Sequence, residues 1–420
     1  MFALSKLLIR GKRRLSGETE VQGAKNSVLP LLAASILAKG ESVFLGCPHL
    51  SDVEASTKIL RYLGCKVSHK GDTICVNADG VNRYDIPNEL MREMRSSIVF
   101  LGAIISHGGK ARLSFPGGCE LGPRPIDLHL KALRQMGVSI EEKYGVLECS
   151  CENGIKGGRI ALSFPSVGAT ENIMIAAVLA KGTTTITNAA REPEICDLAE
   201  YLNRCGARIY GAGEGTIVID GVKSLTGCCH TVIPDRIVAA TLMSAAAVTS
   251  GDVLLHGVMQ SHLGAVIPVF EEAGCKVTFS QGDMRITAPK VLNSVKHIRT
   301  MPYPGFPTDC QAPIMAMTAV SKGTSVIVEN IFENRFRHVG ELERMGANIK
   351  VEGKVAVVEG VSQLFGTTVV APDLRGAASL VTAGLCAQGT TQMSGVNFLE
   401  RGYESLETVL SGLGADIKKI

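Results

Sequence analysis

Six times along the chain an amphipathic stretch closes with glycine, a small residue, a variable residue and Val or Ile. The six closures are Gly64-Cys65-Lys66-Val67, Gly137-Val138-Ser139-Ile140, Gly206-Ala207-Arg208-Ile209, Gly274-Cys275-Lys276-Val277, Gly346-Ala347-Asn348-Ile349 and Gly414-Ala415-Asp416-Ile417. Successive glycines are 73, 69, 68, 72 and 68 residues apart, so the chain is a repeat. Before each glycine the apolar side chains recur with helical spacing, as in Ile195, Leu198, Ala199, Leu202 and Cys205, or Leu406, Val409, Leu410 and Leu413. The glycine then predicts a helix C-cap. The alternating residues after it predict a β-hairpin, as at 349–357 with a turn at Glu352-Gly353. Earlier in each unit stands a helix that is apolar almost all round, as at 173–180, followed by Gly182 and a strand at 183–186. Such a helix is expected to be buried on every side.

One unit is thus helix, strand, helix and strand pair, about 70 residues, too small to bury both helices alone. Units must pack on one another. The sixth stops at Ile420 without its hairpin, whereas residues 4–21 have strand character and no repeat of their own, so the N-terminal segment is expected to complete the last unit. The resulting α/β organisation is two three-unit domains, 21–233 and 234–420 with 1–20, joined by two chain crossings that favour a hinge. A single open solenoid of six units is the alternative.

Composition narrows the class. With 45% hydrophobic and 20% charged residues, 46 Gly and 16 Pro, the 420 residues match a compact soluble protein and exclude a disordered one. A net charge of +3, evenly spread, is too small for nucleic-acid or membrane-surface binding and leaves a small molecule as the expected partner. The 13 cysteines are scattered apart from Cys149/Cys151 and Cys228/Cys229 and contain no CxxC, which fits reduced thiols in the cytosol. Mean hydropathy is +0.21, yet the longest near-continuous apolar run, 28–38, is too short to span a membrane. Lys6 and Arg10 interrupt any signal-peptide core, so a cytoplasmic protein is expected. GxGxxG, P-loop, HxxxH and HExxH patterns are missing, and neither cofactor nor metal is expected. The run Arg10-Gly11-Lys12-Arg13-Arg14 reads as a solvated strand edge.

Chemistry emerges when the repeats are aligned. Counting back from each glycine places Lys25, Arg95, Ser166, Arg236, Asp309 and Arg375 at the start of the buried helix. Threefold packing would gather three helix N-termini at one end of each domain, where free N–H groups and the helix dipole attract anions. Four of the six residues are cationic, and two such ends facing across a hinge would form a cleft for a phosphorylated ligand. Plain solvated charges are the alternative. A second repeated location, 13 residues before the glycine, holds Arg124 and Arg401, against Ser51, Pro193, Ser261 and Glu333 in the other units. Both arginines are suited to a bidentate grip on one phosphate after closure. Residues 115–125 form a Gly/Pro-rich loop containing Cys119, where neighbouring cations are expected to make a thiol reactive; a buried core thiol is the alternative.

These residues resemble the enolpyruvyltransferase family over essentially the whole chain. The resemblance is carried by Gly23-Ala24-Lys25-Asn26, Pro116-Gly117-Gly118-Cys119 through Arg124-Pro125-Ile126-Asp127-Leu128-His129, Ser166-Val167-Gly168-Ala169-Thr170, Ala190-Arg191-Glu192-Pro193-Glu194, Pro304-Gly305-Phe306-Pro307-Thr308-Asp309, Phe332-Glu333-Asn334-Arg335 and Arg401-Gly402-Tyr403. It implies a two-domain inside-out α/β barrel, each domain three βαβαββ repeats with buried helices. It also implies transfer of the enolpyruvyl group of phosphoenolpyruvate to the 3-hydroxyl of UDP-N-acetylglucosamine with release of phosphate, at the start of peptidoglycan precursor synthesis for cell-wall growth and division. By the same resemblance Lys25, Asn26, Arg124 and Arg401 bind phosphoenolpyruvate. Cys119 is the proton donor, also able to form a covalent adduct, and Asp309 is a candidate base near the sugar hydroxyl. Lys25 and Arg401 join these two as the catalytic set. The UDP-sugar contacts are Arg95, Arg124, Pro125, Ile126, Asp127, Leu128, Ser166, Val167, Asp309 and Ile331. Two positions depart from the pattern: Phe164, where some members have Lys, and Val238, where Glu is expected. Two other functions stay open. One is 3-phosphoshikimate as acceptor, against which the cysteine loop and Asp235-Arg236 argue; the other is a catalytically silent sugar-nucleotide-binding paralogue.

Overall fold

Helices without a polar side can be covered only by each other and by sheets, and this governs the architecture. The structure, a computed structural model, describes residues 5–94, 96–114 and 126–420. The chain divides into two compact units, one running from Gly23 to Ile233, the other combining the N-terminus up to Gln22 with Pro234–Ile420. In the first unit lie the buried helices Lys25–Ala34, Phe100–Gly108 and Val167–Ala177; in the second lie Arg236–Val248, Thr308–Thr318 and Leu374–Cys386. In the last of these every residue from Arg375 to Cys386 is buried. Several hydroxyls on such helices are satisfied by their own backbone: Thr241 donates to the Ile237 carbonyl, Ser244 to Ala240 and Thr382 to Ala378, each at 2.9 Å.

Among the described residues each unit carries three four-stranded sheets of one topology, and the first unit adds a two-stranded pairing of Ala38–Lys39 with Leu225–Thr226. In the third repeat, Arg159–Ala161 runs parallel to Thr183–Thr187, which is antiparallel to Thr216–Asp220, which in turn pairs with Arg208–Tyr210. The fifth repeat has the same order, with His297–Arg299, Thr324–Val328, Val355–Glu359 and Asn348–Glu352. Its hairpin turns one residue later than the alternation suggests: Glu352 pairs with Val355, and the turn is Gly353-Lys354, placed by the left-handed φ of 57° at Gly353. Among the described residues the strands bond in these separate sheets rather than in one continuous barrel.

The sixth repeat lacks a returning strand of its own. Leu7–Arg10 supplies it, lying antiparallel between Thr390–Ser394 and Asp416–Lys419. Gly11 makes the approach possible, since a Cβ there would lie 2.1 Å from the Ala387 carbonyl oxygen. First strands are also exchanged at the two crossings. Ser16–Glu20, next before Lys25–Ala34 in sequence, pairs with Asp252–His256; Cys229–Thr231, next before Arg236–Val248, pairs with Glu41–Leu45.

All six repeat glycines have φ between 90° and 107°, and the residue after each donates its N–H to the carbonyl five positions back, as Ala207 does to Leu202 at 3.0 Å. This is the Schellman closure that the sequence pattern predicts. Gly206 isolates its energetics, because among the described residues no atom beyond its own chain neighbours lies within 4 Å of the place a Cβ would occupy, and backbone conformation is what is at stake. Gly206→Ala should cost about 1–2 kcal/mol, read as a lower urea midpoint with an unchanged slope.

Candidate functional site

In the unit Gly23–Ile233 the buried helix Lys25–Ala34 opens on a cation. The Lys25 ammonium lies 2.6 Å from Asp52, and both side chains are at most one-tenth exposed. Asp52 stands in the first turn of helix Ser51–Leu63, where the dipole also favours a carboxylate. Asn26 is half-buried beside it. Ser27 bonds to the buried Asp197, which meets His230 Nε2 at 2.8 Å. The first turn is therefore anchored through two carboxylates of neighbouring segments.

A second set gathers around His129 in the same unit. Ile126 N-caps helix Asp127–Gln135, and Leu128 packs partly buried on the core. Asn172 Nδ2 donates to His129 Nδ1 at 3.0 Å and to the Ile98 carbonyl at 2.8 Å, while its Oδ1 accepts the Gly102 N–H. Burial pushes the His129 imidazole down to about 4, against the pull of Asp127, so the ring is neutral and its Nδ1 is free to accept. A Cβ at Gly168 would lie 3.2 Å from that ring. Ser166 caps the adjoining helix by accepting the Ala169 N–H, and Val167 is its first residue. One turn on, burial and then Glu194 and Glu192 raise the Glu171 carboxyl well above the usual range.

In the other unit the polar centre is Asp309, in the first turn of Thr308–Thr318. Its Oδ1 accepts from Arg335 Nη2 at 2.7 Å and its Oδ2 from Arg375 Nη2 at 2.9 Å. Both guanidiniums are almost fully buried, whereas the Asp309 side chain is 26% exposed. Arg335 also holds the Thr308 carbonyl at 3.0 Å. Arg375 reaches the Tyr403 hydroxyl at 3.1 Å, and that hydroxyl is 3.0 Å from Thr241 on a third buried helix. Burial opposes charge on Arg375, but Asp309, Tyr403 and Asp235 outweigh it and keep its pKa raised. Glu329 ties the neighbouring loop in place: it accepts from Thr308 Oγ1 at 2.9 Å and from the Ile331 and Phe332 N–H groups at 2.8 and 3.0 Å. Arg401, half-buried, follows helix Val396–Leu399 and precedes a turn held by Gln22, which donates to the Gly402 carbonyl and accepts the Glu404 N–H.

The family described as EPSP synthase (3-phosphoshikimate 1-carboxyvinyltransferase) matches residues 9–410. The chain belongs to that family. It is 52% identical over 417 residues to a UDP-N-acetylglucosamine 1-carboxyvinyltransferase 2 of Caldanaerobacter subterraneus subsp. tengcongensis, covering 99% of this chain and 100% of the relative. It is 49% identical to a UDP-N-acetylglucosamine 1-carboxyvinyltransferase 1 of Symbiobacterium thermophilum, covering 98% and 95%. Among solved structures, the enolpyruvyl transferase NikO from Streptomyces tendae superposes with a TM-score of 0.90 at 26% identity, over 99% of both chains. An EPSP synthase from Acinetobacter baumannii shares the fold, with a TM-score of 0.77 at 19% identity over the full length of both. The two-domain α/β fold of this family is thus the fold of the chain.

Of the residues expected from sequence, Arg95, Cys119, Arg124 and Pro125 lie outside the described residues. Ile126, Asp127 and Leu128 are joined to Ser166 and Val167 through His129 and Gly168, and Asp309 is joined to Ile331 through Glu329. Cations at the helix starts are not simply waiting for a ligand: Asp52 already faces Lys25, and Asp309 faces Arg375. Val238 is buried on Arg236–Val248, and Phe164 is 42% exposed. Arg335, Arg375 and Tyr403 were missing from the expected site although Asp309 depends on them. Arg375 carries a signal in its repeat position, and Arg335 and Tyr403 stand inside the motifs that carry the family resemblance, but none of the three has a role assigned from sequence. Among the described residues no cluster of His, Cys, Asp and Glu is arranged for a metal ion, and no helix is long and apolar enough to cross a membrane.

Two measurements follow from these contacts. Arg375→Lys keeps charge but cannot span Asp309 and Tyr403 together; it should lose about 1–3 kcal/mol in urea unfolding, more than Tyr403→Phe. His129 has a folded pKa below its ordinary 6.5, so the stability it contributes is complete above about pH 6.5 and falls as the pH drops towards 4. His129→Gln retains an acceptor for Asn172 and does not titrate; between about pH 7.5 and 4.5 it should lose less stability than the parent, by about 2–3 kcal/mol.

Proposed function

We propose that the chain transfers the enolpyruvyl group of phosphoenolpyruvate to the 3-hydroxyl of UDP-N-acetylglucosamine and releases phosphate, the opening step of peptidoglycan precursor synthesis in the cytoplasm. The observation that carries this reading is near-full-length identity of 46–52% to relatives bearing the name UDP-N-acetylglucosamine 1-carboxyvinyltransferase. In the first half-reaction the acceptor oxygen bonds to C2 of phosphoenolpyruvate, its proton leaves and C3 gains one. In the second, C3 loses a proton and the C2–O bond to phosphate breaks.

Asp309 takes the hydroxyl proton in this reading. Its support is geometric: two buried guanidiniums hold one carboxylate oxygen each and fix the orientation of the carboxylate, which stays 26% exposed. Cys119 delivers the proton to C3. Lys25, Asn26, Arg124 and Arg401 are assigned to phosphoenolpyruvate, where forked arginines suit a phosphate better than lysines would. Arg95, Arg124, Pro125, Ile126, Asp127, Leu128, Ser166, Val167, Asp309 and Ile331 are assigned to the UDP-sugar. Of these, Val167 opens a helix, and a helix N-terminus suits the diphosphate. The family description favours 3-phosphoshikimate as a second acceptor. Phosphate release from phosphoenolpyruvate, measured with each acceptor in turn, decides between them: turnover with 3-phosphoshikimate alone would overturn the proposal.

Asp309→Asn should fold, melt a few degrees lower, bind UDP-N-acetylglucosamine within severalfold of the parent and lose about 10²–10⁴ in kcat. Near-parent kcat would place the base elsewhere. Cys119→Ser should be almost inactive because a hydroxyl is a poor acid, while Cys119→Asp retains turnover. Equal activity of the serine and cysteine forms would remove Cys119 from proton transfer.

A further inference from the structure

Two thiols at the far end of helix Pro193–Arg204 take no part in the chemistry above. Cys205 is the buried C-cap residue of that helix, and the half-buried Cys228 stands next to strand Cys229–Thr231. Their Sγ atoms are 3.5 Å apart and both thiols are free. The backbone holds them there from both sides. Cys205 donates its N–H to the Tyr201 carbonyl at 3.0 Å, and its own carbonyl accepts the Thr226 N–H at 2.9 Å. The Cys228 carbonyl accepts the Val43 N–H, also at 2.9 Å. A disulfide needs an S–S separation of about 2.05 Å, so the two sulfurs, already 3.5 Å apart, have about 1.5 Å left to close.

We propose that Cys205 and Cys228 are a reversible oxidation site that closes to a disulfide when a hydroperoxide reaches Cys228. The Cys228 sulfur attacks the peroxide oxygen, the O–O bond breaks, and a sulfenic acid forms with release of water or an alcohol. Cys205 then attacks that sulfur, the S–O bond breaks, the S–S bond forms and the sulfenic oxygen leaves as water. Two thiols give up two electrons and two protons, and the peroxide is reduced by two electrons. The order follows from exposure, and burial together with the Cys228 thiol pushes Cys205 up to about 12, which makes it a poor first nucleophile. A dithiol reductant returns both electrons and restores the thiols. The closed loop, residues 205–228, ties the end of helix Pro193–Arg204 to the start of strand Cys229–Thr231 and restrains the unfolded chain.

The test uses the full chain, treated with hydrogen peroxide, alkylated with N-ethylmaleimide and digested with trypsin without reduction. A cross-linked species should join residues 205–208 to residues 224–236, with two hydrogens fewer than the free peptides, and should disappear after dithiothreitol. Because the second peptide also contains the exposed Cys229, three variants separate the possibilities. The cross-link should persist in Cys229→Ser and vanish in Cys205→Ser and Cys228→Ser, all three melting within a few degrees of the reduced parent. The oxidised parent should melt several degrees higher than the reduced one. Loss of the cross-link in Cys229→Ser, or sulfinic acid at Cys228 with no cross-link, overturns the proposal.

Discussion

Everything in this molecule depends on six helices that have no polar side to turn to water. A 70-residue repeat cannot hide such a helix, so three of them pack together in each unit and the sheets close over them. Large aliphatic residues fill the contacts, and small ones set the distance where helices or strands approach closely. A Cβ at Gly102 would meet the Asn172 carbonyl oxygen at 2.4 Å, and one at Gly384 would meet Ile9 at 3.1 Å. Charged groups gather at the first turns, where backbone N–H groups have no intrahelical partner, while polar side chains farther along, such as Asn172, are buried in hydrogen bonds.

Those first turns carry Lys25, Ser166, Arg236, Asp309 and Arg375, and the fold neutralises much of what it gathers. Asp52 answers Lys25, Arg335 and Arg375 answer Asp309, and Asp235 and Asp373 cap two of the helices with their carboxylates. Buried charges paired in this way contribute little net stability, but each fixes its partner's position. Asp309 is a partly exposed carboxylate oriented by two almost fully buried guanidiniums, and in the proposed reaction that arrangement would supply the preorganisation an acid–base step needs. Its support is itself braced, since Tyr403 holds Arg375 and Glu329 holds Thr308.

Exchange of edge strands at the two crossings gives the chain its connectivity. Each unit borrows the strand that precedes the other's first buried helix, so neither stretch of sequence completes its sheets alone. Gln22, at the first crossing, also clamps the turn after Arg401, so a residue with no chemistry of its own holds the backbone beside a proposed ligand-binding arginine.

Periodicity is a local property, and whatever rests on it could be read from the chain. The six glycine caps, the helix starts at Lys25, Ser166, Arg236, Asp309 and Arg375, and the strand that completes the sixth repeat all follow from spacing and from the need to bury apolar faces. The one-residue error at the Gly353 turn shows the limit of that reading, because alternation fixes the strands but φ fixes the turn. Family motifs named Asp309 as a candidate base. Nothing in the sequence paired it with Arg335, 26 residues on, or Arg375, 66 residues on, or linked Tyr403 to Thr241. Likewise no spacing rule brings Cys205 to Cys228 or aims Asn172 at His129. Such pairings depend on which side chains meet once helices and sheets have packed. The sequence alone therefore determined the repeat and its helix ends, whereas the charge partners that orient those ends were decided by tertiary packing, because side-chain contact is fixed by distance in space and not by separation along the chain.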